Sequence, residues 1–462
     1  MGDTKGDQET GLYDPSLHIF VDDAEVRHMA NVHRVWVELN RRGQPLVEPD
    51  RPWEGGQRTQ LGSVIFDEQR EKFQCWYMVA HHDAPVNKKH MICYAESTDG
   101  LHWAKPNLGL HEWQGSRDNN ICLTPAGMEP LDLNLPNVIR DENDPDPAAR
   151  YKLFAYMQDE RMYERRELWA VEHYVFRSPD GIHWTVPAEN LHAGSASDRF
   201  MVAWDQRRMC WLAAMGQATG DARIRTIALK RSEDLYHWSK PIVPFKMDER
   251  EAYGFIYDHH TIMPFLYGNQ YLGYFDLHGY YTRIRNELIS SRDGEHWERP
   301  MRDVDFHRRG PDGEFDEDGG FFSYNPPIPV GDELYIYYSA SGIGKTCVGL
   351  KTMKRDRFVG LECLSKFGDP AFVLTEPVEV LGSDLYLNLK TFAGGQVQVA
   401  VFSEDYGTIE GHELEQCQPI TESGFRVKAV WTDRSGLRDL IGQSVVLRFV
   451  YRGATLYAYQ FA

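Results

Sequence analysis

Little in this chain of 462 residues suits a disulfide frame or a zinc site. Its seven cysteines are odd in number, scattered, and form no Cys-x-x-Cys pair. Several stand inside apolar strand-like runs such as Phe73-Gln-Cys-Trp-Tyr77 and Met209-Cys-Trp-Leu212. They read as buried reduced thiols, and the expected compartment is the cytoplasm. No apolar run reaches the length needed to span a membrane. The start, Met1-Gly-Asp-Thr-Lys-Gly-Asp-Gln-Glu-Thr10, lacks the apolar core of a secretory leader. Positive charge is short as well: 50 Lys and Arg face 69 Asp and Glu, a net charge of −19. Such a surface repels polyanions, which excludes nucleic acid and anionic membrane as expected partners. Helical periodicity is scarce, so the fold class expected is all-β.

What the chain has instead is one phrase written four times. It reads Ser97-Thr-Asp-Gly-Leu-His-Trp103, Ser178-Pro-Asp-Gly-Ile-His-Trp184, Ser232-Glu-Asp-Leu-Tyr-His-Trp238 and Ser291-Arg-Asp-Gly-Glu-His-Trp297. Each copy is followed within three residues by proline (Pro106, Pro187, Pro241, Pro300). Asp-Gly reverses the chain between strands, and the indole that follows is large enough to fill a wedge between neighbouring sheets. Four unrelated hairpins sharing common turn residues are the plainer alternative. A repeated turn and tryptophan at this spacing is the pattern of propeller blades.

Strand pairs support that reading. Gly62–Asp67 with Lys72–Met78, Pro136–Asp141 with Arg150–Tyr156, and Phe200–Asp205 with Arg208–Leu212 read as hairpins of an inner and a second strand. Thr261–Phe265 with Gln270–Phe275 and Asn325–Val330 with Glu333–Tyr338 bring the number to five. Beyond Lys366-Phe-Gly-Asp-Pro370 the strands alternate polar and apolar residues, which suits a one-sided antiparallel layer. The expected organisation is an N-terminal tail over residues 1–19, a five-bladed β-propeller over 20–365 and a C-terminal antiparallel β-sandwich over 370–462.

With these features the chain resembles the five-bladed propeller glycoside hydrolases, the invertase and fructan-hydrolase group with its arabinanase and xylosidase relatives. The tryptophan phrases, the Gly62-Ser-Val-Ile-Phe-Asp67 strand and the terminal Gly442–Phe461 segment carry the likeness. It implies a carbohydrate substrate and no cofactor. The chain departs from the pattern at the chemistry. The position of the invertase nucleophile falls on Gln60, and that of the transition-state stabiliser falls in Asn134-Leu-Pro136, without the acid. Near the third signature only Asp198 stands. The resemblance therefore implies a divergent branch with its acids elsewhere.

Glycoside hydrolysis needs two carboxyl groups, about 5–5.5 Å apart for retention and about 6.5–9.5 Å for inversion. In a propeller they hang at the beginnings of inner strands. Asp198 precedes the third inner strand, Asp258 the fourth, and Asp316 lies in the acidic run Glu314-Phe-Asp-Glu-Asp318 before the fifth. These three are the candidate catalytic residues, and for each a turn carboxylate or strand cap is the plainer reading. Glu54, Trp53, Tyr257, His259, His260, Gln60 and Asn134 are candidate substrate-binding residues. Trp53, Trp113, Tyr257 and Phe322 are candidate sugar-stacking rings. His259 and His260 adjoin an acid in the manner of a metal set, but adjacent strand residues face opposite ways, so substrate hydrogen bonding is favoured and no metal is expected. Calcium on the Glu314–Asp318 turn stays open.

Three functions compete. Hydrolysis of a glycosidic bond in an oligosaccharide or glycoside leads. A non-catalytic sugar-binding propeller is the second, and glycosyl transfer or phosphorolysis the third. Phosphorolysis would want a basic cluster, for which Arg283, Arg285, Arg308 and Arg309 are the candidates.

Overall fold

Strand-forming runs alternate with Gly, Asp and Pro along most of the chain, and the hydrogen-bond ladders follow that punctuation. The structure, a computed structural model, describes residues 12–55, 59–80, 90–128, 131–159, 172–186, 191, 200–219, 222–253, 256–279, 284–364, 368–432 and 436–462. Of these, 131–132, 158–159, 172, 217–219, 222–225, 252–253 and 256–258 are described by their backbone alone.

Five antiparallel sheets form the blades of a propeller. Blade one comprises Thr59–Asp67, Lys72–Ala80, His90–Ser97 and Ile121–Leu123, and blade two Leu131–Arg140, Tyr151–Asp159 and Glu172–Ser178. Blade three comprises Phe200–Asp205, Cys210–Thr219 and Ala222–Ser232. Blade four holds Ile256–Tyr267, Gln270–Gly279, Arg285–Ser291 and Trp297–Glu298. Blade five has an interrupted inner strand, Gly319–Phe322 then Ile328–Val330, followed by Glu333–Gly342 and Lys345–Lys354. Its outer strand comes from the other end of the chain: Asn40–Arg41 pairs with Thr352 and Lys351. The ring is thus closed by backbone hydrogen bonds between early and late sequence. Among the described residues the α-helix is confined to Glu249–Tyr253.

The repeated phrase is a turn lock. In each copy the serine hydroxyl accepts from the backbone N–H three residues on, at Gly100, Gly181, Leu235 and Gly294, over 2.8–2.9 Å. One aspartate oxygen accepts from the N–H groups two and three residues later, and the other holds the histidine Nδ1 at 2.6–2.7 Å. That fixes why Ser, Asp and His recur at this spacing. In the first, second and fourth copies the carbonyl of the turn also receives a donor from the preceding blade. Tyr337 donates to Gly100 O at 3.0 Å, Trp76 Nε1 to Gly181 O at 2.7 Å, and Arg231 to Gly294 O at 3.2 Å. The phrase therefore joins blades as well as strands.

The remaining strands form one nine-stranded sheet. Its two long members, Leu385–Ser403 and Ser444–Phe461, pair along most of their length with irregularities after Asn388 and Thr391, and the sheet curls around its own core. The segments Leu17–Ile19, Val26–Ala30 and Val32–Trp36 belong to this sheet, pairing with Ala458–Gln460, Phe372–Thr375 and Val359–Cys363. A boundary at residue 20 gives the last two to the propeller; their hydrogen bonds go to the C-terminal sheet instead. Edge strands need partners, and sequence distance does not limit them. Arg292, inside the fourth phrase, ties the two parts together through Asp22 at 2.7 Å and Glu25 at 3.0 Å.

Candidate active site

Along the inner strands of blades one and two the same order repeats. Gln60 and Asn134 come first, then the polar belt at Gly62-Ser63 and Asn137-Val138, then the apolar residues that follow. The belt crosses between blades: Tyr324 N donates to Gly62 O at 2.9 Å, and Val138 N to Ser63 Oγ at 2.8 Å. Val202 N donates to Asn137 Oδ1 at 2.8 Å, while Asn137 Nδ2 reaches past blade one to Tyr324 O at 2.7 Å. Asn325 Nδ2 completes it on Val138 O at 2.9 Å. Gly62 is required there, because a Cβ would lie 2.2 Å from Pro136 O. The belt links the inner strands of blades one, two, three and five between their beginnings and their far ends. Toward those beginnings the ladders of blades one, two and four carry register irregularities, at Leu61/Ser63, Phe154/Tyr156 and both Ile256/Asp258 and His259/Thr261. Such bulges re-aim side chains and recur beside active sites.

Blade four builds the best-defined wall. His259 and His260 do face opposite ways. His259 Nε2 lies 2.9 Å from Glu251 Oε2, on the helix Glu249–Tyr253, and its ring packs edge-on to Phe275. Arg299 bonds Glu251 at 2.7 Å and takes both oxygens of Glu287, at 2.7 and 2.9 Å. Burial raises the Glu251 carboxyl, but His259 and Arg299 outweigh it and bring it down to about 2. This buried network grips the strand next to Asp258. On the other face His260 stacks on Phe321 at 4.9 Å and lies 4.7 Å from His278.

Asp258 and Tyr257 are placed by their backbone on the strand Ile256–Tyr267, and Asp198 lies outside the described residues. Gln60 is buried on the first inner strand opposite Met78, and Asn134 is half-buried opposite Tyr156. The described ones, Gln60, Asn134 and the Tyr257–Asp258 backbone, sit toward the beginnings of three different inner strands.

Three expectations are corrected. Asp316 is fully buried and engaged: Arg41 clasps both its oxygens, and the Tyr338 hydroxyl donates to it at 2.7 Å. Burial raises its carboxyl, and these partners hold it below the ordinary carboxylate range. It fastens the closing strand to blade five and has no oxygen left for proton transfer. Glu54 is likewise buried, bonded by Lys105 at 2.8 Å, the Tyr77 hydroxyl at 2.7 Å and Arg51 N at 2.8 Å. Beside it Trp53 Nε1 donates to Asn120 at 2.7 Å. Glu54 holds the loop before blade one rather than a substrate. Phe322 is buried against Tyr274 at 4.1 Å, so the partly exposed ring at this strand is its neighbour Phe321. In the acidic turn Glu314 pairs with Arg41 at 2.5 Å, and Glu317 accepts from Gly313 N at 2.6 Å. Protein donors thus occupy carboxylates that calcium would need. Among the described residues no three His, Cys, Asp or Glu side chains group to hold a metal ion.

Sequence reading missed Glu251, Arg299, His278 and Phe321. Period-two alternation from His260 pointed toward none of them, since each partner lies on another element. The one signal present was Glu249-Arg-Glu251, a short charged run just ahead of the fourth inner strand.

No protein-family model matches the chain, and no curated protein matches it. Solved structures similar in fold include a glycosyl hydrolase from Bacteroides ovatus, at 11% identity and a TM-score of 0.49, over 71% of this chain and 97% of that one. An N-acetylgalactosamine deacetylase from F. plautii is 14% identical over 71% of this chain and 96% of that chain, with a TM-score of 0.44. A member of the GH130 family of mannoside phosphorylases and glycoside hydrolases is 13% identical over 70% and 95%, with a TM-score of 0.46. At this distance none of them assigns a residue here.

Proposed function

We propose that the chain is a glycoside hydrolase that cleaves a glycosidic bond in the axial mouth where the inner strands begin, with Asp198 and Asp258 as the paired carboxyl groups. One observation carries the reading. Asp258 stands on a twice-bulged inner strand gripped by the Glu251–His259–Arg299–Glu287 network. Rigid support of this kind is what a positioned acid or base needs. Gln60, Asn134 and His260 would hydrogen-bond the sugar hydroxyls, and Phe321 would offer a ring face. The structures of similar fold include carbohydrate-active enzymes, which agrees with a sugar substrate. The seven cysteines are buried and form no disulfide among the described residues, which supports a reducing compartment such as the cytoplasm. We read the curled C-terminal sheet as a β-sandwich that buttresses blade four through Arg292.

Phosphorolysis has less support. Arg285 is paired with Asp305 at 3.1 Å, Arg309 with Asp312 at 2.6 Å and Arg308 with Glu38 at 3.6 Å; Arg283 lies outside the described residues. Arginines already paired are poorly placed to gather inorganic phosphate. The test is a panel of aryl furanosides and pyranosides assayed with and without phosphate. Phosphate-independent release of the aryl group is expected. A strict need for phosphate would make the enzyme a phosphorylase, and sugar binding without turnover across the panel would make it a binding propeller.

A further inference from the structure

Below the polar belt the axis opens again into a cavity of about 350 Å³. It is lined at the far ends of the inner strands of all five blades, and Leu12 and Tyr13 lie at its rim. The belt residues Ser63, Asn137 and Val138 precede the lining residues Val64 and Ile139 on their strands, so the cavity lies on the other side of the belt from the site proposed for a glycoside. Its walls are mainly apolar and aromatic, with Phe66, Trp204, Trp211 and Phe265 beside Ala203 and Pro327. A space of this size is within the range that small ligands occupy.

We propose that this lower cavity is a second binding site, for a small uncharged planar aromatic molecule with one N–H or O–H donor. Aromatic walls favour a flat ring through offset and edge contacts. The requirement for a donor comes from Asn325, which lines the cavity and is 8% exposed. Its Nδ2 is committed to Val138 O, which fixes the amide, and its Oδ1 has no hydrogen-bond partner. A buried acceptor left unpaired is costly, so a ligand donor has something to satisfy. The requirement for neutrality comes from the two charged residues of the lining, Arg140 and Glu68. The terminal nitrogens of Arg140 are already paired, with Asp67 at 3.2 Å and Glu142 at 2.9 Å, and Glu68 is exposed to solvent, so neither is a free charge awaiting a counter-ion.

Isothermal titration calorimetry of the full chain with indole and with 1-methylindole tests the site. Indole should bind saturably, and 1-methylindole, which has the same ring without the donor, several-fold more weakly. Ala203→Phe, which places a ring in the cavity, should weaken indole at least about tenfold, a difference of about 1.4 kcal/mol. Circular dichroism and the thermal midpoint establish that the variant is folded. Should it not fold, wild-type crystals under xenon replace it, with a xenon peak expected in the cavity. No saturable heat with indole, equal binding of the two indoles, unchanged affinity in Ala203→Phe, or xenon absent from the cavity would each overturn the proposal. None of these readouts depends on glycoside turnover.

Discussion

Arg41 and Asp316, separated by 275 positions in the chain, form the ion pair that closes the propeller. The arginine sits on the strand that completes blade five, and the carboxylate is wholly buried beneath the Tyr338 hydroxyl. Removing the cation leaves a buried charge unpaired, which costs about 3–5 kcal/mol. Arg41→Met should therefore lower unfolding free energy in urea by roughly that amount. A loss below about 1 kcal/mol, the usual worth of a surface pair, would mean that the closure does not depend on it.

The same pair has a pH signature. Asp316 is held below its ordinary value of 3.8, so the stability it contributes is present above that pH and disappears as pH falls through the lower, folded value. Asp316→Asn should lose stability at neutral pH and show a flatter acid limb than the wild type. An unchanged acid limb would contradict the ion pair.

The propeller was legible because its turn chemistry is local. Ser, Asp and His satisfy one another and the backbone within six residues, so the phrase shows in the sequence wherever the turn occurs. The five strand pairs were legible for the same reason. What closes the ring was not: Asn40–Arg41 carries no pattern that names blade five as its partner. The acids divided similarly. Position ahead of an inner strand was readable, but Asp316 and Glu54 lie in that position and are taken by Arg41 and Lys105, cations distant in sequence. Only packing separates a carboxylate at a mouth from one fastened inside a wall.

Gly181 and Gly109 provide a matched test of how the phrase joins blades. Both have positive φ, 78° and 69°, so alanine strains either backbone by about 1–2 kcal/mol. A Cβ at Gly109 meets nothing within 4 Å, whereas at Gly181 it would lie 2.6 Å from the Trp76 ring. Gly181→Ala should exceed Gly109→Ala by a further 1–3 kcal/mol or about that in chemical denaturation. Equal losses would show that blade one does not press on this turn.

Glu251 should give stability that depends on acid. Its carboxyl is brought from 4.5 to about 2 by His259 and Arg299 against the effect of burial. A depressed folded value favours the fold above the unfolded one, so this contribution is complete above pH 4.5 and fades as pH falls toward 2. Glu251→Gln should be less stable than wild type at pH 7, with the difference narrowing over that interval. Urea midpoints measured against pH give the answer, and a constant difference would remove the ion-pair explanation.

Chelation should leave unchanged the turnover of any glycoside that the protein is found to cleave. Paired carboxyl groups complete the reaction without a Lewis acid. Loss of activity with a chelator and its return with one divalent ion would recast His260 and its neighbours as ligands.

Asp198 and Asp258 are expected to be the reacting carboxyl groups, and their amides separate chemistry from support. Asp198→Asn and Asp258→Asn should each lower kcat by at least about 10²-fold, the usual contribution of a positioned acid or base. Residues that serve the chemistry rather than the fold should not shift the thermal midpoint as Arg41→Met does. The two amides should differ in rescue. An activated aryl leaving group needs no protonation, so it should restore much of the rate to the variant lacking the general acid and little to the other. If both amides kept wild-type kcat on an accepted glycoside, the reacting carboxyl groups would have to be sought on other strands of the mouth.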